Sequence, residues 1–548
     1  MKRSIVGKSG QLLLVLLSVS VAADSALSAV GAPKLKWKYG GCYSSWCETG
    51  WYSSPAVIDL DGNGTQEVVA SAYSIVALNG SNGSLIWRTH SGHDISSPNA
   101  SDAGRTWPGI VVGDVDGDTE VEIVSAHGGG YVSVYDHLGH FKNGWPNRPT
   151  DRELRGLIVA DLDNDGTAEI AVTGAVGSKV NTWVFEHDGS LRGGWPQLQN
   201  DSGYAYGVFN DNGWIADIRG DKQKEIVIPS DVHYICAYDQ GGRQLAANQQ
   251  YGGKGWGQIG LWESQEIELR GWGDCSTTRA ERYRANLAHG AAVVADLDGN
   301  DSQEVVVTGN MYDCAVGHPP GKYTPLFIFN ADRSRFNLAG RDWRTPAITG
   351  APLSEDYSRI ENCQPNPVVA DLDGDGLKEI LFSAYDGKLH SFWLDKKEHY
   401  TWPYAVNRPA EGFLRFSSEP AVVDLDGDGK AEVVFTSWVE KKDSGALRLG
   451  KVHILDYRGN VLHEINLPAP KSSGVVTNGA LPAPTIADID GDEELEMVIN
   501  TVASGFVAYD LPGSSSASIQ WRTGRNKQNF TQKHGEAVLA PLLLLLDN

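Results

Sequence analysis

One nine-residue pattern recurs eight times along the chain, and each copy lies between two short apolar runs. The copy DLDGDGKAE carries acids at its first, third, fifth and ninth positions, with glycines at its fourth and sixth. Neighbouring copies are on average roughly 60 residues apart, which is the size of one unit in a large repeat architecture. The eight copies begin at Asp59, Asp114, Asp161, Asp217, Asp296, Asp371, Asp424 and Asp488.

The runs around each copy have the composition of short β-strands. A first run such as GIVVGD precedes the acids, a second such as EIVSA follows them, and a third such as YVSVYDHLG ends in a turn. A fourth is suggested by SLIWRT and IQWRT. Four short antiparallel strands per unit are typical of a propeller blade. The sequence therefore predicts an all-β fold, a β-propeller with eight blades or, as the alternative, seven.

The two ends of the repeat region resemble each other. KLKWKYG near the N-terminus and SIQWRTG near the C-terminus both look like the outer strand of a blade, so one of them is expected to help close the ring. One propeller domain is predicted over residues 34–530, followed by a tail, 531–548, to which we assign no role.

The acidic pattern has the composition of a calcium loop. Calcium takes six to eight oxygen ligands, and glycine permits the positive φ angles that a tight loop needs. An EF-hand requires a glutamate at the twelfth position and flanking helices, but that position is Phe435 in the seventh copy and Phe382 in the sixth. We therefore interpret each copy as a strand-to-strand hairpin whose first, third, fifth and ninth side chains are ligands.

Seven copies keep a full set of oxygen ligands, which predicts up to about seven structural calcium ions. In the fourth copy Arg219 replaces the third-position acid, so we expect no calcium there and a pairing of Arg219 with Asp217, Asp221 or Glu225. The predicted metal ligands are Asp59, Asp61, Asn63, Glu67, Asp114, Asp116, Asp118, Glu122, Asp161, Asp163, Asp165, Glu169, Asp296, Asp298, Asn300, Glu304, Asp371, Asp373, Asp375, Glu379, Asp424, Asp426, Asp428, Glu432, Asp488, Asp490, Asp492 and Glu496.

Charge and the N-terminus indicate an exported protein that does not bind nucleic acid. A net charge of -23 is unfavourable for phosphate binding. Residues 1–23 read as a signal peptide, with a basic start and an apolar core too short to span a membrane, so no membrane span is expected after cleavage. The predicted location is secreted, periplasmic or at the cell surface. Six cysteines in such a chain favour disulfides, Cys42 with Cys47 being one candidate pair.

Three long connections are predicted as insertions, near residues 243–289, 311–322 and 333–365. In an up-and-down blade the acidic loops join the first and second strands, whereas these connections join the second and third strands or lead into the next blade. We therefore expect the insertions on the face opposite the acidic loops.

The repeats resemble FG-GAP (VCBS) repeats, the blade units of integrin alpha-subunit propellers and of many secreted bacterial proteins. The resemblance extends from about Trp51 to Trp521 and implies both the propeller and the calcium. It implies little about function, because the family serves in adhesion, in ligand binding and, in some polysaccharide lyases, in catalysis.

We favour a binding or adhesion module for a carbohydrate or protein ligand on the insertion-bearing face, with structural calcium. The alternative is a polysaccharide lyase, and a weaker one is a scaffold in a surface assembly. We assign no catalytic residue, because no Ser-His-Asp order or zinc motif is present. A base would have to come from Tyr73, His127, His233, His289, Tyr312, His318 or Tyr385. Stacking on a ligand, or alternatively loop packing, would use Trp256, Trp262, Trp272, Trp343 and Trp438.

Overall fold

Eight small antiparallel sheets follow one another along the chain, one for each acidic loop, in this computed structural model. The residues described are 30–42, 47–48, 52–174, 182–197, 213–229, 234–260, 283–287, 292–313, 324–354, 356–361, 365–442, 444–472, 474–524 and 529–530. Within these ranges the chain is all-β, and its helices are short 3-10 turns at Gly128–Gly130, Gln249–Tyr251, Trp256–Gln258 and Pro409–Glu411. None of the described helices is long and apolar enough to cross a bilayer.

The first half of the chain forms blades 1 to 4. Three strands precede them: β1 (Lys34–Tyr39), β2 (Gly41–Cys42) and β3 (Cys47–Glu48). Blade 1 contains β4 (Ala56–Ile58), β5 (Glu67–Ser71), β6 (Ser74–Asn79) and β7 (Leu85–His90). Blade 2 contains β8 (Val111–Gly113), β9 (Glu122–Ala126) and β10 (Val132–Tyr135). Blade 3 contains β11 (Leu154–Ala160), β12 (Glu169–Gly174) and β13 (Thr182–Phe185). Blade 4 contains β14 (Trp214–Ala216), β15 (Glu225–Pro229) and β16 (Ile235–Tyr238).

The second half begins with β17 (Tyr283–Asn286) and forms blades 5 and 6. Blade 5 and its extensions contain β18 (Ala292–Ala295), β19 (Glu304–Thr308), β20 (Asn310–Asp313), β21 (Pro325–Asn330), β22 (Asn337–Leu338), β23 (Arg341–Asp342) and β24 (Ala347–Ile348). Blade 6 contains β25 (Val368–Ala370), β26 (Glu379–Ser383), β27 (Lys388–Phe392) and β28 (Tyr404–Ala405).

Blades 7 and 8 complete the ring. Blade 7 and its extensions contain β29 (Arg415–Ser417), β30 (Ala421–Asp424), β31 (Glu432–Val439), β32 (Arg448–Leu449), β33 (Lys451–Leu455) and β34 (Val461–Asn466). Next, β35 (Thr477–Asn478) pairs in parallel with β32, and blade 8 follows with β36 (Thr485–Ala487), β37 (Leu495–Asn500) and β38 (Phe506–Leu511). The last described strands are β39 (Ser518–Trp521) and β40 (Asn529–Phe530).

The second strands show why the pattern of short apolar runs specifies this ring. In β5, β9 and β12 every residue is buried. A strand at the middle of a blade is covered by a neighbouring blade on each face, so it is buried on both faces, and apart from its first glutamate it carries only apolar and small residues. The buried clusters cross each blade boundary: one joins Val57 and Val68 of blade 1 to Ala487 and Phe506 of blade 8. The eight-bladed prediction is confirmed.

The N-terminal strand closes the ring. β1 pairs antiparallel with β38 and becomes the outer strand of blade 8. The expectation that one of the two similar terminal segments closes the ring is therefore confirmed for KLKWKYG. The prediction that IQWRT is also an outer strand is wrong, because β39 pairs with β30, the first strand of blade 7, on the channel side. There Trp521 stacks on Trp214 of blade 4 at 5.9 Å between ring centroids.

Tryptophans at the outer edges of the blades link neighbouring blades at six of the eight boundaries. Each indole N–H donates to a backbone carbonyl in the turn that follows the third strand of the neighbouring blade. The pairs are Trp37 with Gly80, Trp87 with His137, Trp145 with His187, Trp195 with Gln240, Trp343 with Leu394 and Trp402 with Tyr457. One element thus supplies both the apolar cover and a hydrogen bond across the blade boundary.

The structure corrects the expected pairing of one cysteine, and for three tryptophans it agrees with the loop-packing alternative. Among the described residues, Cys236 is a free, buried thiol in the middle of β16, where it packs between blades 3 and 4. Trp256, Trp343 and Trp438 are buried and pack within the protein, and of these three only Trp438 borders the cavity described below. The backbones of Cys42 and Cys47 lie opposite each other in the β2–β3 pair. The side chains of those two cysteines, together with Cys275, Cys314, Cys363, Trp262, Trp272 and the segments 1–23 and 531–548, lie outside the described residues.

Candidate functional site

The eight acidic patterns, called loops 1 to 8 in chain order, all join the first strand of a blade to its second. They therefore lie on one face of the ring, here called the acidic face. In loop 6, Asp371 accepts backbone N–H bonds from Gly374 at 2.8 Å and from Gly376 at 2.9 Å. Both glycines have positive φ, at 77° and 86°. The first aspartate thus fixes the loop in a shape that few residues other than glycine adopt easily.

The ninth-position glutamate is buried in every loop and makes the same backbone contact in all eight. One of its carboxylate oxygens accepts the N–H of the second loop residue at 2.6–3.0 Å. Its other carboxylate oxygen takes no part in this backbone contact. In loop 6, Glu379 and Asp373 each keep one buried oxygen without a hydrogen-bond partner, and Asp298 does so in loop 5.

The acids of each loop converge. In loops 1, 2, 3, 5 and 6, and in two further groups of the described chain, at least three acids offer oxygens within 4.8 Å of one another. Buried carboxylate oxygens without a donor are costly unless a cation or proton accompanies them. The donor set, made of hard oxygens only, fits a divalent ion of the calcium type. Whether each predicted residue is a ligand remains a prediction.

Electrostatics at the ninth position agree with this interpretation. Burial raises the pKa of Glu379 and of Glu432 to about 8, and the neighbouring aspartates of the same loop add to the rise. Burial likewise raises the pKa of Glu304 to about 7. These glutamates are unfavourable as anions unless a positive charge lies beside them.

In four loops a positive charge of the protein itself is present. Lys142 Nζ lies 2.8 Å from Asp116, 3.0 Å from Asp118 and 2.9 Å from Glu122 in loop 2. Arg219, as expected from the sequence, contacts Asp221 at 3.1 Å and Glu225 at 2.7 Å in loop 4. Loops 3 and 8 receive Arg192 and Lys36, two contacts that were not expected from the sequence.

The opposite face carries a cavity of about 410 Å³ between blades 7 and 8. β31 begins at loop 7 and ends at Val439, so the cavity wall built by Trp438 and Val439 lies away from the acidic face. Residues before the first strand of blade 8 and after its second strand form the other wall, including Asn478 and Val502. A volume of this size is typical of a small-molecule site.

Polar groups converge at one side of this cavity. Glu361 accepts a hydrogen bond from the Tyr52 hydroxyl at 2.8 Å and pairs with Lys441 at 3.2 Å. Lys442 adds a second ammonium group to the lining. Trp438 is held by stacking on Phe416 at 4.5 Å between ring centroids. The cavity therefore combines a fixed aromatic wall with charged groups of both signs.

The described candidates for a catalytic base do not form a catalytic group. His127 is fully buried between Thr106 and Ser125, and burial lowers its pKa to about 3, so it is a neutral structural side chain. Tyr385 is buried, whereas Tyr73 is largely exposed. His233, His289, His318 and the side chain of Tyr312 lie outside the described residues.

Comparison with known proteins agrees with this geometry. The model of the FG-GAP-like repeat family matches residues 366–435, which span blade 6 and the start of blade 7 with loops 6 and 7. This segment of the chain is therefore similar to an FG-GAP-like repeat, and it lies in a ring of eight β-blades. No curated protein matches the sequence significantly.

Solved structures share the fold at low sequence identity. The V. cholerae biofilm matrix protein Bap1 matches over 90% of this chain and 93% of its own, at 16% identity and a TM-score of 0.50. The rhamnogalacturonan lyase YesW matches over 88% of this chain and 76% of its own, at 17% identity and a TM-score of 0.44. The Bap1 match supports the propeller fold.

Proposed function

We propose that this protein is an exported binding module, with a carbohydrate or protein ligand held on the face opposite the acidic loops. The cavity between blades 7 and 8 is the observation that carries the proposal. It is a preformed concave site with an aromatic wall and convergent charged groups. Such sites bind ligands without a need to rearrange, which lowers the entropic cost of association. A biofilm matrix protein, Bap1, provides a precedent for this fold in a matrix component.

Calcium has a structural role in the proposed function. The loops stand at the end of the ring opposite the cavity, so an ion bound there does not contact the ligand. An ion in loop 6 would instead neutralise Glu379 and the aspartates around it, and so stabilise the connection between the first two strands of the blade. The residues that would hold the ions are the first, third, fifth and ninth side chains of the loops.

Within this proposal we favour a saccharide over a protein surface. The cavity has a volume on the scale of one or two sugar units, and Lys441, Lys442 and Glu361 provide the directed polar contacts that hydroxyl and carboxylate groups of a sugar require. A protein partner would need a broader contact surface, typically about 800 Å² on each side.

A glycan array, run with calcium and again with chelator, tests the proposal. We expect saturable binding to a defined saccharide class in calcium, and about a tenfold loss for Lys442→Glu. Lys38→Glu is the matched control, since Lys38 is exposed on the outer strand of blade 8 and outside the cavity. No glycan binding, or equal losses in both variants, would contradict the proposed site. Release of unsaturated uronate products would identify a lyase instead.

A further inference from the structure

We propose that an ammonium or guanidinium group of the protein itself takes the place of calcium in loops 2, 3, 4 and 8. We call these the cation-paired loops, and loops 1, 5, 6 and 7 the open loops. The inference rests on the proposed structural role of calcium. A calcium ion has this role in the open loops, and a lysine or arginine has it in the cation-paired loops. The inference reduces the expected number of bound calcium ions to four.

Lys142 shows the substitution most fully. Its ammonium nitrogen lies within 2.8–3.0 Å of one oxygen from each of the third, fifth and ninth loop residues. Those three side chains are the ones expected to ligate calcium, at about 2.3–2.6 Å from the ion. An ammonium group at the centre of this oxygen set occupies the position that the ion would need. The two positive charges cannot share it.

The same structural position supplies the cation in three blades. Near the end of the third strand an aromatic residue is followed by an acid, and the cation comes directly after the outer-strand residue that pairs with this aromatic. In blade 2, Phe141 pairs with Tyr135, and Lys142 comes next. In blade 3, Leu191 pairs with Phe185, and Arg192 comes next. Arg192 contacts Asp163 at 2.6 Å and Glu169 at 3.0 Å. We call this place in each blade the outer position.

Blade 8 repeats the arrangement with a strand from the other end of the chain. Leu35 pairs with Tyr509, and Lys36 comes next, in a bulge of β1. Lys36 pairs with Asp490, with Glu496 at 3.2 Å and with Asp510 at 2.8 Å. The strand that closes the ring therefore also supplies the positive charge to loop 8.

The remaining blades carry no lysine or arginine at the outer position. The backbone hydrogen bonds of the turn between the third and outer strands align the blades with one another and so identify the residue at the outer position in each. They are Ile86 in blade 1, Leu245 in blade 4, Phe336 in blade 5, His399 in blade 6 and Leu462 in blade 7. In blade 4 the cation comes from the loop and not from the outer position, because Arg219 is itself a residue of loop 4.

The open loops keep their acids without such a partner. Within the described chain, no lysine or arginine forms an ion pair with the carboxylates of loops 1, 6 or 7. Loop 5 has one distant contact, Arg341 to Asp298 at 3.6 Å, and the other carboxylate oxygen of Asp298 has no hydrogen-bond partner. In loop 6, Asp373 and Glu379 each have a buried oxygen without a hydrogen-bond partner, and no ion pair among the described residues reaches either carboxylate. In loop 3 the corresponding oxygen of Glu169 also lacks a hydrogen bond but lies 3.0 Å from Arg192.

Bound calcium per chain, measured by elemental analysis after equilibrium dialysis of the full-length protein, tests the inference. We expect four ions in the wild type. We expect five in Lys142→Gln and five in Arg219→Asp, which restores the third-position acid found in the other loops. Arg192→Lys keeps a cation in loop 3 and should leave the number at four.

The outcomes separate this inference from the role of calcium itself. More than four ions in the wild type, or an unchanged number in both Lys142→Gln and Arg219→Asp, would overturn the substitution while leaving calcium binding intact. No bound calcium at all would overturn both. Arg219 is partly exposed, so Arg219→Asp provides a test that does not depend on the buried contacts of Lys142.

Discussion

Blades 2 to 4 and blades 5 to 7 solve the same electrostatic problem in different ways. Each blade buries a glutamate beside aspartates at the start of its second strand. In blades 2 to 4 a lysine or arginine of the protein neutralises these acids, as Lys142 does for Glu122. In blades 5 to 7 the acids remain without a close cation, as around Glu379. The backbone of the loop is alike in both halves, because the ninth-position glutamate accepts the N–H of the second loop residue in each.

The difference teaches that a repeated motif need not have a repeated ligand. The first aspartate and the ninth glutamate bind backbone N–H groups in all eight loops, so these residues define the hairpin. The cation is a second, separable requirement. An ion from solution makes stability depend on calcium concentration, whereas a covalently attached lysine does not.

Removal of calcium should have the largest effect. Chelator is expected to lower the melting temperature strongly, because a ligand at a hundredfold excess over its Kd contributes about 2.7 kcal/mol per site. Thermal unfolding followed by circular dichroism, in calcium and in chelator, measures the change. Magnesium at equal concentration is the control, since it demands a smaller, octahedral site. A melting temperature that is the same in chelator would contradict structural calcium.

A single substitution should convert an open loop into a cation-paired one. Ile86 stands at the outer position of blade 1 and is 51% exposed, so Ile86→Lys can be accommodated and can reach the acids of loop 1. We expect one bound calcium fewer and a reduction of the calcium-dependent stability by about 2.7 kcal/mol at a hundredfold excess. Ile86→Gln, which adds length without charge, should leave both unchanged. Equal behaviour of the two variants would contradict a role for the charge.

The pH dependence of the protein's stability should reverse when calcium is removed. Folding raises the pKa of Glu379 and of Glu432 to about 8, above their usual value near 4.5. Between these values the folded state binds more protons than the unfolded state, so the chelated protein should gain stability as the pH falls from 8.5 to 6. In calcium the same protons compete with the ion, and the stabilising effect of calcium should shrink. Melting curves at both pH values, with and without chelator, compare the two trends.

The tryptophan hydrogen bonds should give the smallest effect, and it should be equal in both halves. Trp402→Phe removes a bond from blade 6 to blade 7, and Trp145→Phe removes its counterpart from blade 2 to blade 3. Each is expected to cost about 1 kcal/mol, because one partly buried carbonyl loses its donor. Denaturant unfolding in calcium and in chelator measures both. If the free-energy cost of only one of the two substitutions changed with calcium, the contact between neighbouring blades, and not the acidic loop, would be the calcium-sensitive element.

The sequence was sufficient for the ring and for the loops, because both depend on local patterns. The acids of DLDGDGKAE and the runs beside them are contiguous in the chain, so the blade number follows from counting them. The outer strand KLKWKYG was recognised for the same reason. SIQWRTG has the same local pattern but lies against β30 inside the channel, and only the path of the whole chain determines that position.

The contacts of Lys142 and Arg192 were not predicted, although a signal for them is present. Both follow an aromatic or leucine residue just after the turn of the outer strand, in HFKNGWP and SLRGGWP, and Lys36 stands likewise in KLKWK. An alignment of the outer strands by their turns would have brought these three cations into one column. The burial of Trp343 and Trp438 could not be read in this way, because it depends on how neighbouring blades pack.

Hydrogen exchange measured by mass spectrometry, in calcium and after chelation, tests the division of the ring most directly. We expect chelation to increase exchange in the peptides that contain loops 1, 5, 6 and 7, while those of loops 2, 3, 4 and 8 remain protected. An equal increase in all eight loops, or one confined to the loops that hold Lys142, Arg192, Arg219 and Lys36, would contradict it.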